Sequence, residues 1–340
     1  MGVVSTVKTL AGQVEPVGKL GVRRMLGVKS PFQVTFSLTN RCNFHCEYCD
    51  IPIQRREEMS AADFCEAIDA LREAGMGRAS LIGGEPLLRK DAGEIIAHLK
   101  RRGVHSAMNT NGWYVPERID EVAELDLVCV TLDGPPEVHD AQRKKGSYAR
   151  AIEALEILRS RGVPIVTMTV ITPAGAESVE HVLEVARGLG CKAFFQLEHD
   201  KSCDVNAPIA IRLGAKAIEG VAQKLLRLKN EGAPVGNSRE ILDAQIRGGR
   251  YLGSCEDCYA GRYYAYVLSD GTIAPCLLTQ WQQEAGNGRK LGFARAFEAM
   301  RPPEGPGCSC VPTHEVNRVL GLDVAALWHA IELALPAPLR

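Results

Sequence analysis

The sequence predicts an α/β fold, namely a partial (β/α)6 TIM-type barrel followed by a small cysteine-rich C-terminal auxiliary domain. Three observations lead to this prediction. Short apolar runs alternate with helical patterns from residue 31 onward, which is typical of parallel strands joined by helices. Polar or glycine-rich stretches follow the strands, and catalytic residues collect at the carboxyl ends of parallel barrel strands. Near residue 235 the alternation ends, and a hairpin flanked by cysteines begins.

Six short apolar stretches are predicted to form the barrel strands: 32–39, 79–84, 105–111, 127–134, 164–171 and 193–199. The predicted helices between them include Ser60 to Ala74, which opens on a Ser60-x-x-Asp63 capping box, and Tyr148 to Arg161. A further helix is expected over 211–230. Because six units are fewer than the eight of a complete barrel, we expect one side of the barrel to be open.

The barrel is assigned to residues 31–235, and the auxiliary domain to 236–312. Within the latter, 263–276 predicts a hairpin with Asp270 and Gly271 in its two-residue turn. Residues 313–340 end in an apolar helix over Val324 to Leu335.

Residues 1–30 form a basic amphipathic segment. This segment is either an interfacial helix that touches a membrane or a lipid substrate, or a capping helix on the barrel floor. The second interpretation is favoured because the helical period is interrupted by Gly12, Pro16, Gly18 and Gly21.

Charge and cysteine content limit the possible partners and the compartment. The 340 residues include 40 Lys and Arg against 41 Asp and Glu, so the net charge gives no reason to expect a nucleic-acid partner. There is no signal-peptide pattern and no apolar run long enough for a transmembrane segment. We therefore expect a cytoplasmic protein whose twelve cysteines include ligands of a metal ion or cluster rather than disulfides.

Three cysteines, Cys42, Cys46 and Cys49, fall within the stretch NRCNFHCEYCD just after the first strand. This spacing can hold three corners of a four-iron cluster, because thiolates are the usual ligands of iron-sulfur clusters. The fourth iron would then be open to the amino and carboxylate groups of a small molecule. The alternatives are a structural zinc site, with His45 or a remote cysteine as fourth ligand, and a set of buried thiols.

Four stretches together resemble the signature of radical S-adenosylmethionine (SAM) enzymes. The stretch CNFHCEYC carries the aromatic Tyr48 before its third cysteine, and GGEP follows the second strand. The stretch TLDG follows the fourth strand. The stretch HDAQRKKGSY, which begins at His139, resembles the HDxxRxxxGS pattern of peptide- and metabolite-modifying members, with one residue fewer before Gly146. The resemblance extends over most of the chain.

The resemblance implies a [4Fe-4S] cluster on Cys42, Cys46 and Cys49 that binds SAM and, once reduced, yields a 5'-deoxyadenosyl radical. The electron would come from a donor such as flavodoxin or ferredoxin. Glu85 would accept from the SAM ammonium group, and Arg143 would pair with its carboxylate. Asn109 and Asn111 either contact the cofactor or cap a turn. The full set of predicted cofactor-binding residues is Tyr48, Gly83, Gly84, Glu85, Asn109, Thr131, Asp133 and Arg143.

A second cysteine group resembles the opening of the SPASM extension of the same enzymes, in the spacing Cys258-x12-Gly-x4-Cys276. The usual longer run of further cysteines is missing, which implies a shortened, twitch-like domain with one auxiliary cluster, most simply [4Fe-4S]. The preferred ligand set is Cys258, Cys276, Cys308 and Cys310, with Cys255 as the spare thiol. A triad of Cys255, Cys258 and Cys276 with an open iron is the alternative, and a zinc ribbon is a rival for the whole group.

The single cysteines at 65, 129, 191 and 203 are assigned no chemistry, because an isolated cysteine is most often a small buried hydrophobe. The polar group of Glu198, His199, Asp200 and Lys201 follows the sixth strand and either binds substrate or forms a solvated loop. Tyr263 and Tyr264 either line the substrate face or pack across the hairpin.

A small organic substrate is the favoured prediction. A ribosomal peptide whose leader is held by another chain is the next alternative, and a lipid is the third. The rival from another class is a non-catalytic iron-sulfur or zinc protein that acts as a scaffold or electron carrier. The GGEP and HDxxR stretches favour the enzyme, because a carrier has no need of loops that bind SAM.

Overall fold

The computed structural model describes residues 18–173, 177–197, 213–248, 258–277, 286–304, 310–324 and 326–327. Within these ranges one sheet of eight strands runs in the order β6-β5-β4-β3-β2-β1-β7-β8. The strands are β1 Gln33–Ser37, β2 Arg78–Ile82, β3 His105–Thr110, β4 Leu127–Thr131, β5 Ile165–Val170, β6 Lys192–Gln196, β7 Tyr264–Val267 and β8 Ile273–Ala274. The six strands predicted from sequence are confirmed as β1 to β6, and every neighbouring pair among them is parallel.

Helices follow the strands as expected for βα units. Their bounds are α1 18–25, α2 Ala61–Glu73, α3 Ala92–Arg101, α4 Ile119–Val122, α5 Pro136–Gln142, α6 Ser147–Ser160, α7 Val179–Leu189, α8 Ala215–Asn230, α9 Arg239–Ile246, α10 Gly288–Leu291, α11 Phe293–Ala299 and α12 Val311–Leu320. The predicted capping box is present at the start of α2: Ser60 accepts from the Asp63 backbone N–H, and the Asp63 carboxylate accepts from that of Ser60.

The hairpin predicted at 263–276 is confirmed as β7 and β8, with Asp270 and Gly271 in its turn. It is part of the main sheet, because β7 pairs in parallel with β1. Residues 264–267 therefore extend the sheet into the region assigned to the auxiliary domain. In the described part of the chain, β6 and β8 are the two edges and do not pair, which confirms a partial barrel.

One helix connects the two sides of this open sheet. At its start, the Val311 N–H donates to Gln196 Oε1 at the end of β6, over 3.1 Å. Further along the same helix, Asn317 Oδ1 accepts from the N–H of Tyr259, which precedes β7, over 2.7 Å. Helix α12 therefore connects the end of β6 with the segment that precedes β7. The sequence analysis did not predict this helix.

Helix α1 lies against the start of β1 and β7. Leu20 is 1% exposed within an apolar cluster that also contains Phe32 and Leu320. Arg24 donates to the Leu320 carbonyl over 2.8 Å and to the Tyr259 hydroxyl over 3.0 Å. For residues 18–25 the capping interpretation therefore fits, although the outer face of the segment leaves several apolar side chains exposed, namely Val22, Met25, Leu26 and Val28.

The helix expected over 211–230 corresponds to α8, which begins at Ala215. Most of the helix expected over Val324 to Leu335 lies outside the described residues. Among the described residues, no helix is both long enough and apolar enough to span a membrane.

Candidate active site

The loop that carries the first three cysteines is fixed at both of its ends by one buried arginine. Arg89, 4% exposed, donates to the Leu38 carbonyl over 3.1 Å and to the Met59 carbonyl over 3.0 Å. Its guanidinium also forms an ion pair with Asp91 at 2.6 Å. Because Leu38 precedes the cysteines and Met59 follows them, Arg89 closes the loop at its base. Arg89 lies just after GGEP, and the sequence analysis missed it.

The three thiols of this loop are half-buried. Cys42 Sγ accepts from the Phe44 N–H at 3.4 Å, and the Cys49 N–H donates to the Cys46 carbonyl over 3.0 Å. Burial raises the pKa of Cys42, and it raises the pKa of Cys46 to about 11. Without a cation the Cys42 and Cys46 thiols are therefore neutral near pH 7, and a metal would displace their protons on binding.

The two glycines of GGEP pack directly against the backbone of the cysteine loop. A Cβ at Gly83 would lie 2.3 Å from the Thr39 carbonyl oxygen, and a Cβ at Gly84 would lie 2.2 Å from that of Arg41. The Gly84 N–H donates to the Thr39 carbonyl over 2.7 Å, and the Glu85 N–H to the Arg41 carbonyl over 2.9 Å. Because these residues have no side chain, the loop after β2 can pack directly against the backbone of the loop after β1.

Glu85 is completely buried and is held by three donors. Its carboxylate accepts from Thr110 Oγ1 at 2.8 Å, from the Asn111 N–H at 2.8 Å and from the Leu87 N–H at 3.1 Å. Burial raises its pKa to about 6, although these donors favour the ionised form. Glu85 is therefore ionised at neutral pH and protonated in mildly acidic solution. Thr110 is a positioning residue that the sequence analysis missed.

The asparagines of NTNG differ in their surroundings. Asn111 Oδ1 accepts from the Trp113 N–H at 2.9 Å, which is the turn cap that the sequence allowed. Asn111 Nδ2 also donates to Asn43 Oδ1 over 2.9 Å and lies 3.9 Å from Cys42 Sγ. Asn109 is exposed on β3, and Thr131 is half-buried at the end of β4.

A buried carboxylate connects TLDG with the cysteine loop and with α5. Asp133 Oδ2 accepts from the Tyr48 hydroxyl at 2.6 Å and from Arg143 Nε at 2.5 Å, and Oδ1 accepts from the Val170 N–H at 3.0 Å. Burial disfavours the Arg143 charge, but Asp133, Tyr48 and Cys46 together raise the pKa of Arg143 above its usual value. Three of the predicted cofactor residues, Tyr48, Asp133 and Arg143, thus form one network.

His139 supports this network from α5. Its Nδ1 accepts from the Asp133 N–H over 3.1 Å, so Nε2 carries the proton of the neutral ring. Burial, together with the neighbouring Arg143 charge, lowers the pKa of His139 to about 4. The histidine of the HDxxR stretch is therefore neutral near pH 7 and orients Asp133.

A stack of side chains covers the outer side of the cysteine loop. The rings of Phe44 and Trp113 meet edge to face with centroids 5.7 Å apart. Lys144 Nζ lies 4.2 Å from the Trp113 ring centroid and 5.7 Å from that of Phe44. This contact connects the loops after β1, β3 and α5, and no pattern in the sequence had indicated it.

The second cysteine group comes together from three separate segments. Cys258, Cys276 and Cys310 are all buried in the apolar cluster that contains Leu20, whereas Cys255 and Cys308 lie outside the described residues. Cys258 precedes β7 and Cys276 follows the antiparallel β8, so both lie where β1 begins. The first cysteine group follows the end of β1. The two groups therefore lie at opposite ends of β1, a five-residue strand about 17 Å long.

Hydrogen-bond donors face the sulfurs of the second group. Asn317 Nδ2 lies 3.3 Å from Cys258 Sγ, the Ala260 N–H donates to the same sulfur at 3.4 Å, and Thr313 Oγ1 lies 3.2 Å from Cys310 Sγ. Burial and the adjacent Cys276 raise the pKa of Tyr264 above its usual value, so its hydroxyl keeps its proton beside that thiol.

Both thiol sets have the chemistry that iron-sulfur clusters require, namely cysteine sulfurs with N–H or O–H groups directed at them. Among the described side chains, no three His, Cys, Asp or Glu residues converge as the ligands of a single metal ion would. The thiolates of a four-iron cluster bind different iron atoms, so they need not meet at one point. Cys42, Cys46 and Cys49 therefore fit the first cluster, and Cys258, Cys276 and Cys310 fit an auxiliary one.

The remaining predicted residues fall into two sets. The polar group at 198–201 lies outside the described residues, as does Cys203. Cys129 and Cys191 are buried and Cys65 is half-buried, as expected for structural thiols. Tyr263 and Tyr264 are buried in the second apolar cluster, which favours their packing role.

A recess of about 800 Å³ lies beside the segment that follows Cys49. Its lining carries four cations, Arg55, Arg56, Arg289 and Lys290, against the two anions Glu57 and Asp270. Asp270 is paired with Arg56 at 2.8 Å.

Comparison with known proteins agrees with this geometry. The family model of the radical SAM superfamily matches residues 36–187. An AdoMet-dependent heme synthase of Methanosarcina barkeri is 26% identical over 305 residues, which cover 81% of this chain and 86% of the synthase. A PqqA peptide cyclase of Xanthomonas campestris pv. campestris is 34% identical over 178 residues, and the match spans about half of each chain, 49% and 47%.

Solved structures show the same fold. Streptococcus suis SuiB bound to S-adenosylmethionine superposes with a TM-score of 0.65 at 13% identity, covering 88% of this chain and 70% of SuiB. The enzyme anSMEcpe, with AdoMet and a peptide bound, gives a TM-score of 0.64 at 18% identity and covers 79% and 80% of the two chains. At these identities the likeness establishes the fold alone.

Proposed function

We propose that this chain is a radical SAM enzyme, because the model of that family matches residues 36–187, and that it cleaves SAM reductively and acts on a small organic substrate. The observation that carries the proposal is the convergence of the loops after β1, β2, β3 and β4 around Cys42. When bound, a reduced cluster on Cys42, Cys46 and Cys49 supplies the electron that breaks a carbon-sulfur bond of SAM and releases the 5'-deoxyadenosyl radical.

The surrounding residues position SAM. Glu85, ionised at neutral pH, is proposed to accept from the SAM ammonium group. Arg143 is proposed to contact the SAM carboxylate while its Nε holds Asp133. Tyr48 keeps its proton, because burial raises its pKa, and so it donates to Asp133. Gly83, Gly84, Asn109 and Thr131 are proposed to line the rest of the cofactor site. The stack of Phe44, Trp113 and Lys144 excludes water from the outer side of the cysteine loop.

A single auxiliary cluster at the start of β1 is the second part of the proposal. Its ligands would be Cys258, Cys276 and Cys310, together with Cys308 or Cys255, within a shortened SPASM or twitch-type domain over 236–312. The support is the convergence of three buried thiols from segments far apart in sequence. Residues 31–235 would form the barrel.

Two observations favour a small organic substrate over a peptide. The similarity to the heme synthase runs along most of both chains, whereas the similarity to the PqqA peptide cyclase covers about half of each. A ribosomally made peptide is the second candidate, supported by the fold shared with SuiB, which has been solved with its precursor peptide SuiA.

Anaerobic reconstitution with iron and sulfide tests the first part. The reduced enzyme is expected to release 5'-deoxyadenosine from SAM, and the triple variant Cys42→Ala, Cys46→Ala, Cys49→Ala is expected to release none. Cys65→Ala, which removes a half-buried thiol of α2, is the matched control and should keep full activity. Unchanged deoxyadenosine release by the triple variant would overturn the proposal. Transfer of deuterium from candidate substrates into deoxyadenosine would then distinguish the small molecule from the peptide.

The basic recess is the proposed docking site for an acidic, cytoplasmic electron donor such as flavodoxin or ferredoxin. Its lining begins at Gln54, five residues after Cys49, and electrostatic steering would favour an anionic partner there. Arg55→Glu with Lys290→Glu is expected to slow cluster reduction by flavodoxin several-fold and to leave reduction by dithionite unchanged. Lys216→Glu, an exposed cation of α8, is the control. Equal rates with flavodoxin for all three proteins would exclude this site.

A further inference from the structure

Helix α12 presents two polar side chains to the sulfurs of the second cysteine group. Thr313 and Asn317 are four residues apart and therefore lie on one face of the helix. Both side chains are buried, at 5% and 4% exposure, among the residues that surround Cys258 and Cys310. A polar residue in such a place requires a hydrogen-bond partner.

The geometry gives each side chain a sulfur as partner. Thr313 Oγ1 is 3.2 Å from Cys310 Sγ, and Asn317 Nδ2 is 3.3 Å from Cys258 Sγ. A metal-bound cysteine is a thiolate without a proton, so in that state Thr313 and Asn317 are the donors. Cys310 is also the residue before the first turn of α12, where the helix dipole favours negative charge.

Asn317 is itself fixed in orientation. Its Oδ1 accepts from the Tyr259 N–H at 2.7 Å, and its Nδ2 donates to the Thr313 carbonyl over 2.8 Å. Both amide atoms thereby lie near Cys258 Sγ, Nδ2 at 3.3 Å and Oδ1 at 3.5 Å. A protonated thiol can donate to Oδ1, whereas a thiolate can only accept, from Nδ2.

We infer that Thr313 and Asn317 are positioning residues that tune the auxiliary cluster by hydrogen bonding to its cysteine sulfurs. The inference rests on the proposed auxiliary cluster and adds which residues set its reduction potential. Donors to sulfur stabilise the more electron-rich, reduced cluster and so raise its potential. No other function is needed to explain why α12 buries a hydroxyl and an amide beside thiols.

The test uses the full chain with Cys42, Cys46 and Cys49 replaced by alanine, so that only the auxiliary cluster is reconstituted. Its midpoint potential is measured by a redox titration followed by electron paramagnetic resonance. Thr313→Val, which has nearly the same shape but no hydroxyl, is expected to lower the potential. A tenfold change in the redox equilibrium corresponds to about 59 mV for one electron. Asn317→Asp, which keeps an acceptor for Tyr259 but loses the donor, should lower it further because it adds negative charge.

Two controls separate tuning from structural damage. Thr313→Ser restores a hydroxyl and should restore the potential. Thr167→Val makes the same exchange at a buried hydroxyl in β5 that has no described hydrogen-bond partner, and it should match the parent. If the parent assembles no cluster, the auxiliary site and this inference fall together. If Thr313→Val and Asn317→Asp assemble the cluster with the parent's iron content and potential, the auxiliary site stands and the inference is overturned.

Discussion

The two cysteine groups are built in opposite ways. The first uses one loop of eight residues and has half-buried thiols, and it is fixed by backbone contacts, by Arg89 at its base and by hydrogen bonds to Asp133 and Asn111. The second takes its thiols from three segments, buries them in an apolar cluster and directs side chains of α12 at the sulfurs. The first site is therefore a local structure attached to the barrel, whereas the second forms only when distant parts of the chain have packed together.

If this contrast is correct, breaking the network of Tyr48, Asp133 and Arg143 should damage the first site more than the second. Asp133→Asn leaves the buried Arg143 guanidinium without its carboxylate, and breaking a buried ion pair costs about 3–5 kcal/mol. We expect the free energy of unfolding to fall by that amount and SAM binding to be lost. Denaturant unfolding of the metal-free chain, with SAM titration of the reconstituted chain, measures both effects.

Asp120→Asn is the matched control for that change. It removes the partner of Arg161 in an exposed ion pair, and such pairs contribute about 0–1 kcal/mol. Similar losses of stability in the two variants would contradict the role of the Asp133 network.

Leu20→Ala should affect the second site instead. Leu20 is 1% exposed in the apolar cluster around Cys258, and removing a buried leucine side chain typically costs about 2–4 kcal/mol. We expect loss of auxiliary iron while SAM cleavage at the first site continues. Iron analysis with deoxyadenosine release checks this, and Leu26→Ala, at a 70% exposed position, should change neither. Retention of all iron by Leu20→Ala would show that the second site does not depend on this packing.

A smaller loss of stability is expected from a change where the loop after β2 packs against the cysteine loop. Gly84→Ala places a Cβ 2.2 Å from the Arg41 carbonyl oxygen, so the cysteine loop must shift, at a cost of about 1–3 kcal/mol. Gly188→Ala in α7 meets open space and should be neutral or stabilising by about 0.5–1 kcal/mol. Thermal unfolding compares the two variants, and equal unfolding temperatures would show that the loops do not pack as described.

Mild acid should weaken SAM binding with little change in folding. Glu85 has a pKa of about 6, so it loses its charge as the pH falls through that value and can no longer pair with an ammonium group. We expect SAM affinity to be constant from pH 8 to 7 and to fall below pH 6, by at most tenfold per unit. Calorimetric titration across this range measures the profile, with Glu85→Gln as a reference of flat pH dependence. A flat profile in the unmodified enzyme would exclude Glu85 as the ammonium partner.

The contrast between the two cysteine groups also explains which features of the structure could be predicted from the sequence. The six barrel strands and the residues Cys42, Glu85 and Asp133 were predictable because each lies in a short pattern whose meaning is local. The pairing of β7 with β1 was not, because a hairpin's place in a sheet depends on its packing partners. Arg89 and Thr110 were missed for a related reason: their roles depend on contacts with residues 25–51 positions away in the sequence.

Helix α12 was the largest omission. In its sequence VPTHEVNRVL, Thr313, His314 and Asn317 occupy buried positions where apolar residues are usual. Those polar residues make sense only when Cys258 and Cys310 are known to lie beside them. Cys258, Cys276 and Cys310 of the predicted ligand set lie in one buried cluster, whereas Cys308, the fourth predicted ligand, lies outside the described residues.

The way α12 bridges β6 and β7 bears on how the enzyme survives exposure to oxygen. A cluster destroyed on the peripheral cysteine loop can be replaced while the rest of the chain stays folded, because that loop is clamped at its base by Arg89. Replacement at the inner thiols would require the seam formed by α12 to part, so repair there should be slow and should compete with degradation. If both proposed clusters form, iron lost from the outer site is expected to be replaceable in the folded chain, whereas iron lost from the inner site is expected to return only after partial unfolding.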